Sequence, residues 1–188
     1  GMGVWRRAGD VGSYSASLSA CEKSAQGGQA SEGLREMGRR RLERNVVSYS
    51  ASISACEKGS QWVQASALLR EMGGRRLEPN VVSYNASISA CEKGSQWVQA
   101  SALLREMGGR RLEADVVSYS ASISACEKGS QWVQASALLR EMAGRRLEPN
   151  VVSYSASISA CEKGSQWVQA SALLREMAGR ILWLYVVS

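Results

Sequence analysis

Side chains that could bind a ligand recur along this chain at one fixed interval. The segment SYSAS, or SYNAS, begins at Ser13, Ser48, Ser83, Ser118 and Ser153, so a serine-rich motif returns every 35 residues. One lysine ends the A-C-E-K segment behind each copy, and an Asn or Asp stands three residues before each copy. Hydroxyl and amide groups hydrogen-bond to the polar edges of a ligand, and evenly spread basic charge suits a polyanion. These residue types therefore indicate a binding surface that repeats along the chain.

The composition argues against catalysis. The chain has no histidine, so neither a Ser–His nor a Cys–His pair can form. Its five cysteines occur once per repeat and without C-x-x-C spacing, which argues against a structural zinc site. Equivalent positions on stacked helices lie about 8–10 Å apart, too far for a disulfide, so we predict five buried, unpaired thiols. We expect no enzyme activity, no metal and no cofactor.

The net charge of +6 is distributed evenly, because a typical repeat carries four basic and three acidic side chains. That balance suits a polyanionic partner and equally suits plain solubility. The longest apolar run, residues 181–187, is far shorter than a membrane span, so no membrane association is expected. No targeting segment is visible in a chain that starts at Gly1.

A period of 35 residues is typical of a stacked repeat array. In the second half of a repeat, Trp62, Ala65, Leu69 and Met72 have the spacing of one helix face. The first half is ambiguous, because VVSYSASIS alternates apolar residues with serine as a strand does. Its length of about 13 residues and its ending favour a helix, and Asn80 or Ser83 could cap the next copy. We favour a helix–turn–helix repeat over a βα repeat.

If the first half is helical, it carries a second stripe besides its apolar one. Val47, Ser50, Ser54 and Lys58 lie close together at about 100° per residue, turned away from the apolar stripe. Stacked repeats would align these stripes into a groove with a valine and serine floor and a lysine edge. The groove would offer hydrogen-bonding hydroxyls to a ligand.

The chain resembles the pentatricopeptide repeat family over residues 11–185. The resemblance rests on the 35-residue period, the VVSYN or VVSYS opening, the central A-C-E-K-G, the LLREM segment and the LEPN close. It implies an all-α, right-handed α-solenoid of about five 35-residue helix–turn–helix repeats. It also implies binding of single-stranded RNA in a mitochondrion or chloroplast, with a role in RNA stability, processing or translation, at one base per repeat.

The resemblance divides the chain into repeats. Residues 1–10 would belong to a preceding repeat, residues 186–188 would begin a following one, and the five repeats are 11–45, 46–80, 81–115, 116–150 and 151–185. Repeat 1 has Gly12 and Gly27 where the others have valine and tryptophan, so we expect it to pack and read weakly. Repeat 5 has a degenerate end, and bare ends of the array could self-associate.

In that family the fifth and last residues of a repeat read a base, the second residue wedges between bases, and a lysine contacts phosphate. The base-reading residues would be Ser15 with Asn45, Ser50 with Asn80, Asn85 with Asp115, Ser120 with Asn150, and Ser155 without a partner. The wedging residues would be Val47, Val82, Val117 and Val152. The phosphate-contacting residues would be Lys58, Lys93, Lys128 and Lys163. By the family pattern, Ser with Asn resembles an adenine reader and Asn with Asp a uracil reader, which gives 5′-A-A-U-A-3′.

Variation within the chain agrees with this interpretation. Repeats 2, 3 and 4 differ only at the fifth, twenty-eighth, thirty-fourth and thirty-fifth positions, and two of these are the expected readers. The alternative is a tetratricopeptide-like scaffold that binds a peptide without RNA specificity, although that class has a 34-residue period. Trp62, Trp97, Trp132 and Trp167 could stack on bases, but their place on the apolar stripe favours packing between repeats.

Overall fold

The computed structural model describes the backbone of residues 10–187 and the side chains of residues 10–180. Within that range all regular structure is helical, so the helix prediction for the first half of each repeat is confirmed and the βα alternative is wrong. The expectations for residues 1–9, for Ser188 and for the side chains of 181–187 lie outside the described residues. The ten helices of this range are α1 (Val11–Lys23), α2 (Gly27–Arg39), α3 (Val46–Lys58), α4 (Trp62–Gly74), α5 (Val81–Lys93), α6 (Trp97–Gly109), α7 (Val116–Lys128), α8 (Trp132–Gly144), α9 (Val151–Lys163) and α10 (Trp167–Val187).

The chain forms two compact units, one up to Gly94 and one from Ser95 onwards. In the first unit α1 packs on α2 and α3, and α3 also packs on α4 and α5. In the second unit α7 packs on α6, α8 and α9, while α9 also packs on α8 and α10. The first helices α1, α3 and α7 therefore each contact their own second helix and the first helix of the next repeat. None of the helices in the described range is long and apolar enough to cross a bilayer.

The apolar stripes form the core of each unit, as the helix spacing predicts. On α3 the side chains of Tyr49, Ile53 and Cys56 are fully buried, while on α4 Leu69 and Met72 are buried. The hydroxyl of Tyr49 donates to the Glu71 carboxylate at 2.8 Å, which joins the two helices of one repeat. Burial, reinforced by that hydrogen bond, raises the pKa of Tyr49 to about 12. The phenol therefore remains a neutral donor at physiological pH.

The five thiols are buried and unpaired, as predicted. Cys56 lies 3.8 Å from the hydroxyl of Ser31, and Cys91 lies 4.0 Å from Ser66, each serine belonging to the preceding repeat. Burial raises the pKa of Cys126 to about 11, so this thiol stays protonated. The cysteines act as small apolar side chains between neighbouring repeats.

Tryptophan and glycine from adjacent repeats interlock. A Cβ atom added at Gly94 would lie 2.3 Å from Cδ1 of Trp62, and one at Gly164 would lie 2.4 Å from Cδ1 of Trp132. Gly94 caps α5 with a negative φ of −85°, so close approach rather than an unusual backbone conformation requires the glycine. Trp62, Trp97 and Trp132 therefore pack between repeats instead of standing open as base platforms, whereas the side chain of Trp167 is 75% exposed.

Repeat 1 replaces this interlock with a closer backbone contact. Gly27, which takes the place of tryptophan, is buried, and a Cβ there would lie 2.6 Å from Cα of Cys56. The sequence-based prediction that repeat 1 packs weakly at Gly27 is wrong. Without an indole ring at this position, α2 approaches α3 directly.

We expect Gly94→Ala to destabilise the chain by about 1–3 kcal/mol, because the methyl group overlaps the indole of Trp62. Gly74→Ala is the matched control, since nothing lies within 4 Å of its added Cβ. That substitution should be neutral or stabilising by up to about 1 kcal/mol. Urea unfolding followed by circular dichroism measures both, and equal stabilities of the two variants would contradict the interlock.

Candidate nucleic-acid interface

In repeats 1 to 4 the closing residue is the N-cap of the next first helix. The Asn45 side chain accepts a hydrogen bond from the backbone N–H of Ser48 at 2.9 Å, and Asn80 accepts one from Ser83 at 3.0 Å. Asp115 and Asn150 cap α7 and α9 in the same way. An Asn or Asp at this position therefore has a structural role before any ligand is considered.

The third residue of α3, α5 and α7 completes a reciprocal cap. The backbone N–H groups of Asn45 and Asp115 donate to the hydroxyls of Ser48 and Ser118, at 3.0 and 3.1 Å. This is the geometry of a capping box, with serine in place of the usual glutamate. These serines are buried, and the sequence interpretation assigned them no part in the site. The Asn-x-x-Ser spacing is the sequence feature that could have predicted this capping box.

In repeat 2 the structure joins the two expected base-reading residues through this serine. The Ser50 and Ser83 hydroxyl oxygens lie 3.2 Å apart, and the Ser83 hydroxyl donates to Oδ1 of Asn80 at 2.8 Å. Ser50 is half-buried and Asn80 is exposed. The N-terminus of the next first helix thus brings together the fifth and last residues of repeat 2, Ser50 and Asn80.

The other expected readers occupy equivalent places in their helices with different exposure. Ser15 on α1 and Asn85 on α5 are half-buried, and Ser155 on α9 is exposed. Ser120 on α7 is buried, and its hydroxyl has no hydrogen-bond partner among the described residues. No hydrogen bond of the described structure links Ser120 to Ser153, so the network of repeat 2 is absent at this junction.

The expected wedging valines are all exposed. The exposed fraction of the side chain is 67% for Val47, 59% for Val82, 55% for Val117 and 56% for Val152. Each valine lies three residues before the fifth residue of its repeat, and residues at that spacing share one helix face. Repeat 1 has the exposed Gly12 at this position. Four repeats therefore present an uncovered branched apolar group on the same face as the reading residue.

Ion pairs join neighbouring repeats through the expected phosphate-contacting residues Lys58, Lys93 and Lys163. Nζ of Lys58 lies 3.0 Å from the carboxylate of Glu22, and Lys163 pairs with Glu127. Lys93 pairs with Glu57 and also donates to its backbone carbonyl at 3.2 Å, at the C-terminal end of α3. Lys128 is exposed at the end of α7. The sequence interpretation did not predict these ion pairs. Each A-C-E-K segment carries a glutamate, and this glutamate can pair with the lysine of the next repeat.

Exposed arginines on the second helices and in the loops after them carry further basic charge. Arg70 and Arg140 on second helices, and Arg76 and Arg146 in the loops that follow, are exposed and make no salt bridge within the described range. Positive charge that is not already paired therefore lies on the second helices and loops as well. In the described residues no three His, Cys, Asp or Glu side chains are grouped so as to hold a metal ion.

The fold is a stack of helix–turn–helix repeats, and solved structures of this class resemble it over most of its length. Maize pentatricopeptide repeat protein PPR10 matches with a TM-score of 0.75 and 20% identity over 90% of this chain and 24% of that one. The pentatricopeptide repeat domain of Arabidopsis thaliana protein-only RNase P 1, solved with tRNA, matches with a TM-score of 0.76 and 12% identity over 88% of this chain and 87% of that one. PPR10 bound to an 18-nucleotide psaJ RNA element matches with a TM-score of 0.70 and 24% identity, over 87% of this chain and 24% of that one. The chain spans about a quarter of the length of PPR10.

The chain belongs to the pentatricopeptide repeat family. The model of the PPR repeat family matches residues 44–93, 79–128 and 114–163, which together cover more than half of the chain. The predicted fold class, an α-solenoid of helix–turn–helix repeats, is confirmed by this match and by the likeness to solved structures. No curated protein sequence matches the chain significantly.

Capping predicts which changes the closing position tolerates. Asn80→Asp keeps an oxygen for the backbone N–H of Ser83, so the free energy of unfolding should change by less than about 0.5 kcal/mol. Asn80→Ala removes the cap and should cost about 1 kcal/mol. Thermal unfolding of both variants tests this, and an Asn80→Ala variant as stable as Asn80→Asp would contradict the capping role.

Proposed function

We propose that this chain binds single-stranded RNA sequence-selectively, at one base per repeat, with the preference 5′-A-A-U-A-3′ for repeats 1 to 4. The observation that carries the proposal is the network of repeat 2, in which Ser83 joins Ser50 to Asn80. The family and two RNA-bound structural neighbours support RNA as the ligand. By family resemblance the protein acts in a mitochondrion or chloroplast, in RNA stability, processing or translation, and as a non-catalytic binder.

Capping makes the closing residue a chemically distinct reader. In Asn80, Oδ1 accepts from the helix N-terminus, so the other terminal group of the side chain is an NH₂ donor. Adenine presents an acceptor, N1, on its pairing edge. Asp115 also caps through Oδ1, and its second terminal atom is a carboxylate oxygen, an acceptor suited to the N3–H donor of uracil. One capping geometry thus gives opposite hydrogen-bonding preferences in repeats 2 and 3.

The exposed valines supply the apolar part of the binding surface. An exposed valine on the same face as the reading residue can pack against the flat face of a base. Packing between successive bases would separate them and hold each one opposite its own reading pair. We propose this role for Val47, Val82, Val117 and Val152.

Lysines would contact the phosphates by exchanging partners. The side chains of Lys58 and Lys163 are each 43% exposed, and an exposed ion pair contributes only about 0–1 kcal/mol. A phosphate can therefore replace or join the glutamate at little cost. The same lysines then stabilise the stack in the free protein and contact RNA in the complex.

Replacing the two proposed base-reading residues of repeat 3 with those of repeat 2 should change the base that repeat 3 prefers. We expect the Asn85→Ser, Asp115→Asn double variant to prefer AAAA over AAUA by about tenfold, because an acceptor is replaced by a donor. The unmodified chain should show the opposite preference. Fluorescence anisotropy with both RNAs and the matching DNA measures this. Equal affinities for both RNAs, before and after the exchange, would reject base reading and favour a scaffold without RNA specificity.

The lysine and its glutamate partner should have opposite effects on RNA affinity. Lys93→Met should reduce the salt dependence of binding by about 0.7 in the slope of log K against log salt, the effect of one phosphate contact on a single strand. Glu57→Gln breaks the same ion pair but leaves the ammonium available, so affinity should rise. If both variants lose affinity equally and keep the same slope of log K against log salt, Lys93 only stabilises the contact between repeats.

A further inference from the structure

The hydroxyl protons around Ser83 can be assigned from its partners. Oδ1 of Asn80 accepts from the backbone N–H of Ser83 at 3.0 Å, so this atom is the amide oxygen and has no proton to give. The 2.8 Å contact between the same oxygen and the Ser83 hydroxyl must then use the serine proton. The backbone N–H of Asn80 donates to Ser83 Oγ at 3.3 Å. The single proton of Ser83 is therefore committed to the cap.

This commitment determines the direction of the Ser50–Ser83 hydrogen bond. The two hydroxyl oxygens lie 3.2 Å apart, and one of them must donate. Because the Ser83 proton points to Asn80, Ser50 is the donor to Ser83. What remains on Ser50 Oγ for a ligand is a lone pair, which accepts a hydrogen bond.

We infer that Ser83, although it belongs to repeat 3, is the positioning residue that makes repeat 2 selective against guanine. The inference rests on the proposed RNA-binding function. A Ser50 acceptor together with an Asn80 NH₂ donor matches the adenine edge, which presents the N6 amino donor and the N1 acceptor. Guanine presents O6, an acceptor, and N1–H, a donor. The Ser50 acceptor would then face another acceptor, and the Asn80 NH₂ donor would face another donor. Specificity at one base thus depends on a buried serine that makes no contact with that base.

The fourth repeat provides a natural comparison. Ser153 has the same capping role, since its backbone N–H donates to Asn150 at 2.9 Å and its hydroxyl donates to the backbone carbonyl of Asn150 at 2.9 Å. No hydrogen bond of the described residues joins Ser153 to Ser120. Loss of the Ser153 hydroxyl should weaken the cap as at Ser83 and leave the base reader of its neighbour unchanged.

The test measures discrimination between adenine and guanine at single positions of the RNA. Anisotropy titrations would use the full chain with AAUA, with AGUA, which changes the second base, and with AAUG, which changes the fourth. In Ser83→Ala the Ser50 proton loses its acceptor and can turn outward to guanine O6. We expect the AAUA-to-AGUA affinity ratio to fall by about fivefold, the contribution of one hydrogen bond. Ser83→Thr keeps a hydroxyl and should therefore keep the AAUA-to-AGUA affinity ratio of the unmodified chain.

Controls separate this role from a purely structural one. Ser153→Ala should leave the AAUA-to-AAUG ratio unchanged, and circular dichroism verifies that both alanine variants keep their helices. In a Ser50→Ala background, Ser83→Ala should have no further effect on the ratio. If Ser83→Ala weakens binding to all three RNAs equally, Ser83 is only a cap and the inference is overturned. If the unmodified chain itself does not distinguish AAUA from AGUA, the proposed function fails instead.

Discussion

Each of repeats 1 to 4 ends in a side chain whose oxygen caps the next helix, and the arrangement of the site follows from that requirement. The first backbone N–H groups of a helix have no partner within the helix, so an Asn or Asp oxygen there stabilises the junction. Asn45, Asn80, Asp115 and Asn150 all meet this need. Since one terminal atom of the side chain is used, the other can be amide or carboxylate without harm to the fold. The stability of the junction and the proposed base preference can therefore vary independently at one position.

The rest of the repeat has far less freedom. Indole rings such as Trp62 lie against a glycine of the next repeat, buried thiols such as Cys56 meet a serine of the previous one, and lysines such as Lys58 reach back to a glutamate. Each of these contacts joins two copies of the unit, so a change at one partner disturbs the other. The residues that make these contacts are the same in repeats 2 to 4, which differ from one another at only four positions. Two of the four variable positions are the proposed readers.

Much of this structure could be predicted from periodicity alone. The apolar stripes gave the helix pairs and the buried cysteines, and the second stripe gave the exposed Val47 and the half-buried Ser50. The sequence could not show that Ser83 connects Ser50 to Asn80, because that depends on how closely two first helices stack and on side-chain rotamers. The lysines were predicted to be available for phosphate, whereas the structure pairs Lys58 with Glu22 across the repeat junction. The identical SYSAS segments that contain Ser50 and Ser120 also did not reveal that Ser50 hydrogen-bonds to the next cap, whereas the Ser120 hydroxyl has no partner among the described residues.

We propose that this chain reads the sequence of single-stranded RNA through residues attached to its helix caps. Selection of bound molecules from a randomised RNA pool, followed by sequencing, tests it without a prior choice of target. We expect enrichment of a four-base element with adenine at the first, second and fourth positions and uracil at the third. A selected pool with the base composition of the starting pool, or an enriched element with guanine at the second position, would contradict it.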